Sequence, residues 1–228
     1  MSLTLTETAT TFELPPAGPQ AAICTRVIDL GTQTTDYQGE QRPSRKVLLT
    51  WRLAETRADG EPFMVSRRFT ASLHEKSALR GILKGWRGRD FTLTELAAFD
   101  LRRLLGASCL LNLTHTQRNG RDYADIVSVS PIPKGMAAPE PLGDFEAVLL
   151  DLSDPTTFDA MASLSDRLRE QIEASPEWKA AQAAPAPAAR PAAPPPAPPQ
   201  PARRSTAPAA TRTPAPAAAD FADSDIPF

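Results

Sequence analysis

Seven of the chain's 25 lysine and arginine side chains fall into three short groups: Arg45, Lys46 and Arg52; Arg67 and Arg68; Arg118 and Arg121. Long cationic side chains on strand-like sequence can follow a phosphodiester backbone. An aromatic ring beside them gives an unpaired base a face to stack on. Two tyrosines are placed for that second role: Tyr37 in the polar stretch TTDYQGEQRP (34–43), and Tyr123 just after the turn RNGR (118–121). Trp51 shares a strand face with Val47 and Leu49, and Phe69 shares one with Phe63 and Val65, so the alternation assigns both rings to a core. Only 6% of residues are aromatic, which makes charge the leading signal and stacking the second. The competing reading of the same cations is a solvated, mixed surface.

Catalytic chemistry finds no such grouping. The two histidines, His74 and His115, stand far apart, with no Cys-x-x-Cys or His-x-x-x-His companion to complete a metal site. No phosphate-cradling glycine motif occurs, and GWRG (85–88) ends a helical run where a phosphate loop would precede one. The sequence therefore predicts a non-enzymatic protein without cofactor or metal.

The cations need elements to carry them. AAICTRVIDLGTQ (21–33), RKVLLTWRL (45–53) and FMVSRRFTA (63–71) alternate as strands, and Asp59-Gly60 marks a hairpin between the last two. Ser72 with Glu75 spells a capping box that predicts a helix running through Trp86. Thr92 with Glu95 spells a second, opening a helix that stops at Gly106. Residues 107–117 and 122–132 read as strands joined by an Asn119-Gly120 turn. Three strands, helix, two strands is the order of an OB-fold, a five-stranded partly open barrel; here one or two helices join strands three and four. That fold binds its ligands on strands two and three and on the loops joining strands one–two and four–five, where these cations fall. Lys76, Arg80 and Lys84 recur on one helix face, either as a phosphate-touching ridge or as a solvated surface.

Composition divides the rest. Residues 1–19 read as a flexible arm and 20–135 as the OB-fold domain, with 18 basic against 12 acidic residues. Residues 136–180 form an acidic extension, 3 basic against 10 acidic, with Asp154-Pro155 opening a helix to about Ser175. Self-association through this extension is left open. Twelve prolines between Pro185 and Pro216 mark 181–219 as a disordered Ala/Pro-rich linker of polyproline character. Cys24 and Cys109 sit in apolar strand-like runs, and residues 1–19 carry no secretory pattern, so both read as reduced core thiols of a cytoplasmic protein.

The final segment, 220–228, sets Asp220, Asp223 and Asp225 beside Ile226-Pro227-Phe228. Apolar side chains of this kind fit a small pocket while the acids meet cations around it, and a long tether raises the effective concentration of the contact. Asp223, Asp225, Ile226, Pro227 and Phe228 resemble the tip of bacterial-type single-stranded-DNA-binding proteins, with Ser224 standing where another acid is usual. The run from Thr70 to Thr92, T-x-S-L-x-x-K-S-x-L-R-x-x-L-x-x-W-x-G-x-x-F-T, resembles a phage or prophage group of the same functional class. The resemblance implies a barrel that coats single-stranded DNA in replication, recombination and repair, and a tip that calls replication and repair proteins in the bacterial host's cytoplasm. It matches the scaffold better than the binding face, so it assigns no individual DNA contact. The alternatives are an adaptor that occupies such host proteins without binding DNA, and a strand-annealing recombination protein.

Overall fold

The computed structural model describes residues 13–37, 40–143 and 147–183. Residues 181–183, expected to begin the linker, instead end a helix; the linker from 184 on and the interaction tip, Asp223, Asp225, Ile226, Pro227 and Phe228 included, lie outside the described residues.

The protein is mainly β. Strand β1 (Gly18–Tyr37) lies at the centre of a sheet with β2 (Glu40–Thr56), β3 (Pro62–Thr70), β4 (Ser108–Arg118) and β5 (Arg121–Ser130), in the order β3-β2-β1-β4-β5. At 20 residues, β1 is long enough to change partners. One edge pairs antiparallel with β2 from Ala22↔Leu53 to Tyr37↔Glu40, while Gly18–Ile23 pair with β4 on the other edge. Register shifts at Cys24/Arg26 and Asp29/Gly31 interrupt the β1–β2 ladder, and irregularities of this kind bend a strand and increase its twist.

Alternation sends Val47, Leu49, Trp51 and Leu53 of β2 and Phe63, Val65 and Phe69 of β3 into one core, as the sequence predicts. Helix α1 (Ala78–Arg87) adds Leu79, Ile82, Leu83 and Trp86. Trp86 lies 5.9 Å from Trp51 and donates its indole N–H to the Ser108 carbonyl at 3.0 Å. Gly85 permits the close approach of α1 to β5, since a Cβ there would sit 2.5 Å from the Val129 carbonyl oxygen.

Local signals were partly displaced. Ser77, not Ser72, caps α1, accepting from the Arg80 N–H at 3.1 Å. Ser72 Oγ instead accepts from the nearer His74 N–H at 3.1 Å, so residues 72–77 form a turn before the helix begins. The Thr92–Glu95 box forms as read, but helix α2 covers only Leu93–Ala97. Asp100 then caps a separate 3₁₀ turn at Leu101–Leu104, and Phe99 meets Phe91 edge-on at 5.1 Å.

The acidic extension folds back onto the sheet. Val148–Leu150 forms β6, parallel to β1 at Arg26–Ile28, a strand the sequence reading missed. Asp154 and Pro155 open a 3₁₀ stretch, Pro155–Ser163, in place of the long helix expected; helices α3 (Asp166–Glu173) and α4 (Pro176–Ala183) follow. Leu150, Leu152, Met161, Leu164 and Ile172 bury Ile28, Leu30 and Leu48 on the outward face of β1 and β2, a second core. Gly31 makes the fit possible: its φ is +67°, and a Cβ would lie 2.5 Å from that of Ser175. Next to it, Glu177 accepts from the Thr32 backbone N–H at 2.7 Å. No helix among the described residues is long and apolar enough to cross a membrane.

Candidate nucleic-acid interface

The hydrogen-bonded path through the sheet ends at β3 and β5, and a side chain joins these two ends. Arg67 of β3 donates to the Ile126 carbonyl of β5 at 2.5 Å, its guanidinium 5.2 Å from the centre of the Phe69 ring. With Arg67 engaged across the seam, alternation leaves its neighbours Met64, Ser66 and Arg68 exposed.

Across the seam, Asn119 (φ 53°) and Gly120 (φ 73°) both take the positive φ of a two-residue hairpin turn. That turn sets Arg118 opposite Arg121. Arg118 pairs with Asp125 and lies 5.8 Å from the centre of the Tyr123 ring. A register shift opposite Asn112 and Leu113 passes over Val127, which is 56% exposed.

Between these walls lie two joined hollows. One, of about 500 Å³, is lined by Ser66, Arg67, Arg68, Arg118 and Val127. The other, of about 690 Å³, is lined by Leu14, Pro15, Met64, Arg121 and Tyr123. Ser66 and Ala124 belong to both, so the two form one trough along the seam. Its apolar surface is exposed, Met64 at 46% and Tyr123 at 41%. Residues 13–16 cross its far end, fixed where His115 Nε2 donates to the Pro15 carbonyl at 2.8 Å.

Five of the nine residues read as DNA-binding therefore come together: Arg67, Arg68, Arg118, Arg121 and Tyr123. Arg52 lines an adjoining hollow and donates to the Glu140 carbonyl at 2.6 Å. Arg45 and Lys46 stand apart. Arg45 lines a separate hollow of about 340 Å³ with Arg102 and Asp151, and its Nε lies 3.2 Å from each carboxylate oxygen of Asp29. That hydrogen bond raises the guanidinium pKa above its ordinary value. Lys46 donates to Thr70 Oγ1 at 2.9 Å. Tyr37 ends the β1–β2 ladder opposite Glu40, and its side chain lies outside the described set.

The helical ridge is largely paired. Arg80 and Lys84 meet Asp90 at 3.2 and 2.9 Å, and the Lys84 hydrogen bond leads in drawing the Asp90 carboxyl down to about 2. Lys76 precedes α1. Cys24 and Cys109 are buried and unpaired with each other, and burial pushes the Cys24 thiol up to about 12. No group of three His, Cys, Asp or Glu side chains suited to a metal occurs among the described residues.

The sequence reading passed over two exposed trough residues. Met64 was legible, since it alternates with Phe63 and Val65. Val127 was not, because its exposure comes from a register shift that no pattern in residues 122–132 announces. No protein-family model matches the chain, and no curated protein matches it.

Proposed function

We propose that this chain is a single-stranded-DNA-binding protein without enzymatic activity, its sheet an OB-type barrel and its binding site the trough along the β3–β5 seam. The observation that carries the reading is the convergence of Arg68, Arg118 and Arg121 around exposed Met64, Tyr123 and Val127. A single strand presents both phosphates and unstacked bases, and this surface offers cations for the first and apolar or aromatic faces for the second. The barrel reading is supported by the strand order, by β1 serving partners on both edges, and by α1 standing between β3 and β4 in sequence.

In this reading the protein is phage- or prophage-derived, coats unwound DNA in the bacterial cytoplasm, and calls host replication and repair proteins through Asp223, Asp225, Ile226, Pro227 and Phe228. Contacts to phosphates and ring faces accept any base, so sequence preference is weak. Fluorescence titration with oligo-dT and with duplex of equal length, at two salt concentrations, tests the proposal. The expected result is preference for oligo-dT, with log K falling by about 0.7 per contacted phosphate for each tenfold rise in salt. Equal affinity for the two, or none for either, overturns it.

A further inference from the structure

Arg26 is a half-buried cation that the fold leaves without a counterion. It follows the first register shift of β1, opposite Thr50. Its Nε is buried and has no hydrogen-bond partner, and no carboxylate pairs with it among the described residues. A buried polar or charged group without a partner costs stability, so packing alone does not account for an arginine here.

The surroundings say what it could receive. Arg26 lines a hollow of about 440 Å³ with Arg52, Arg57, Glu13 and Glu61. Arg57 differs in having a counterion, Asp59 at 3.3 Å from its Nε, yet that buried Nε too is without a hydrogen bond. Glu13 is occupied on its own account, accepting from the Ala58 N–H at 3.0 Å. With Asp59 beside Arg57, the carboxylates around the hollow equal its arginines in number, so the draw for a phosphate is local: the guanidinium of Arg26, whose Nε is buried without a partner. Pro15 and Met64 line both this hollow and the trough, so the two are continuous.

We propose that Arg26, with Arg57, is a phosphate-binding subsite that receives a backbone phosphate of a single DNA strand after the strand has passed Met64. This rests on the single-stranded-DNA reading above. It extends that site from the β3–β5 seam to β1 and the β2–β3 turn, through two residues that the sequence did not single out.

The test compares the full chain with R26M and R26K by titration against oligo-dT of about 20 nucleotides across a salt series, alongside thermal melting without DNA. For R26M the expected salt slope is shallower by about 0.7, one phosphate fewer, with affinity three- to tenfold lower at low salt. R26K recovers most of the slope. The free R26M protein melts at or above the parent temperature, because the substitution removes an uncompensated charge. An R26M slope equal to the parent's overturns the subsite while leaving the trough standing. So does a lowered melting temperature with binding reduced only in proportion to unfolded protein, which makes Arg26 scaffold. Absence of oligo-dT binding by the parent chain fails the underlying reading, and the subsite falls with it.

Discussion

On the outward face of β1 and β2, in the middle of the sheet, the apolar side chains are Ile28, Leu30 and Leu48, and residues 147–183 cover them. At the β3–β5 end the corresponding surface holds Met64, Ser66, Arg68 and Tyr123, and these stay exposed. Both regions belong to one sheet, and the difference lies in what each outward face can gain from a cover. Three buried aliphatic side chains reward an apolar partner, at roughly 1.5–3 kcal/mol per side chain moved from water to a packed interior. A face mixing arginines with isolated apolar groups offers a protein cover little, since each buried guanidinium would need its own partner. Such a face suits a ligand that is itself part anion and part ring.

The cations divide in the same way. Arg45 holds Asp29, and Arg102 holds Asp151 and Asp154 at 2.9 and 2.8 Å, so near the extension they join elements to one another. Arg68 and Arg121, in the trough, have no such carboxylate partner among the described residues. Equal residue types thus serve structure in one region of the molecule and are available in the other.

The largest effect that separates the two regions is on stability. Ile172→Ala removes a fully buried side chain between extension and sheet, and truncations of this kind cost about 2–5 kcal/mol. The expected outcome is a melting temperature lowered by several degrees with oligo-dT affinity unchanged on the protein that remains folded. Loss of DNA binding at temperatures where the variant is folded would place the extension in the binding site and erase the contrast.

How much of this division the sequence announced depends on the signal. Period-two alternation placed Trp51 and Phe69 in the core and would have exposed Met64, because one face of β2 and β3 is uniformly apolar. Alternation with Val47 and Leu49 puts Leu48 on the outward face, yet nothing in RKVLLTWRL says that a segment a hundred residues later buries it. Strand β6 is three residues long, too short to alternate, and exists only because β1 offers it an edge. The cations were found by type, but their partners were not: Asp29 lies sixteen residues before Arg45, and only the ladder brings them together. Arg26 looked like one more strand residue, and its missing counterion is visible only in three dimensions.

A smaller effect, on binding alone, comes from reversing charge in the trough. R68E combined with R121E replaces attraction for phosphate by repulsion at two points, and oligo-dT affinity is expected to fall by about 30- to 100-fold with a flatter salt dependence. Its melting temperature stays within about two degrees, since neither side chain holds another element and exposed charges contribute little. R45Q, in the other region, is expected to reverse the pattern, with DNA binding within about twofold of the parent and a lower melting temperature. Arg67 is unsuited to this comparison because it bridges β3 to β5, so its loss would mix scaffold with site. If R45Q and the double variant weaken binding alike, the cations act as a diffuse field and the trough has no privileged place.

The smallest effect concerns pH, and it follows from the paired cations alone. Glu95 accepts from Arg89 at 2.7 and 3.0 Å and from the Thr92 backbone N–H at 2.9 Å, with Arg87 as a further partner. These contacts, Arg89 first, hold its carboxyl down at about 2 against an ordinary value of 4.5. Arg87 in turn is almost wholly covered, 4.5 Å from the centre of the Phe91 ring and 5.5 Å from that of Phe99, so Glu95 fixes a cation that the aromatic pair also grips. Because the folded-state value lies below the unfolded one, the stabilisation is complete above about pH 4.5 and is lost as pH falls through the folded value near 2. Asp90, also lowered to about 2, adds to the same window. The melting temperature of the parent chain should therefore drop between about pH 5 and pH 2.5, and E95Q, which has lost its share already at neutral pH, should drop less. Parallel curves for the two proteins would show that the Glu95 contacts contribute nothing to folding, and the assignment of paired cations to structure would then lose this pair.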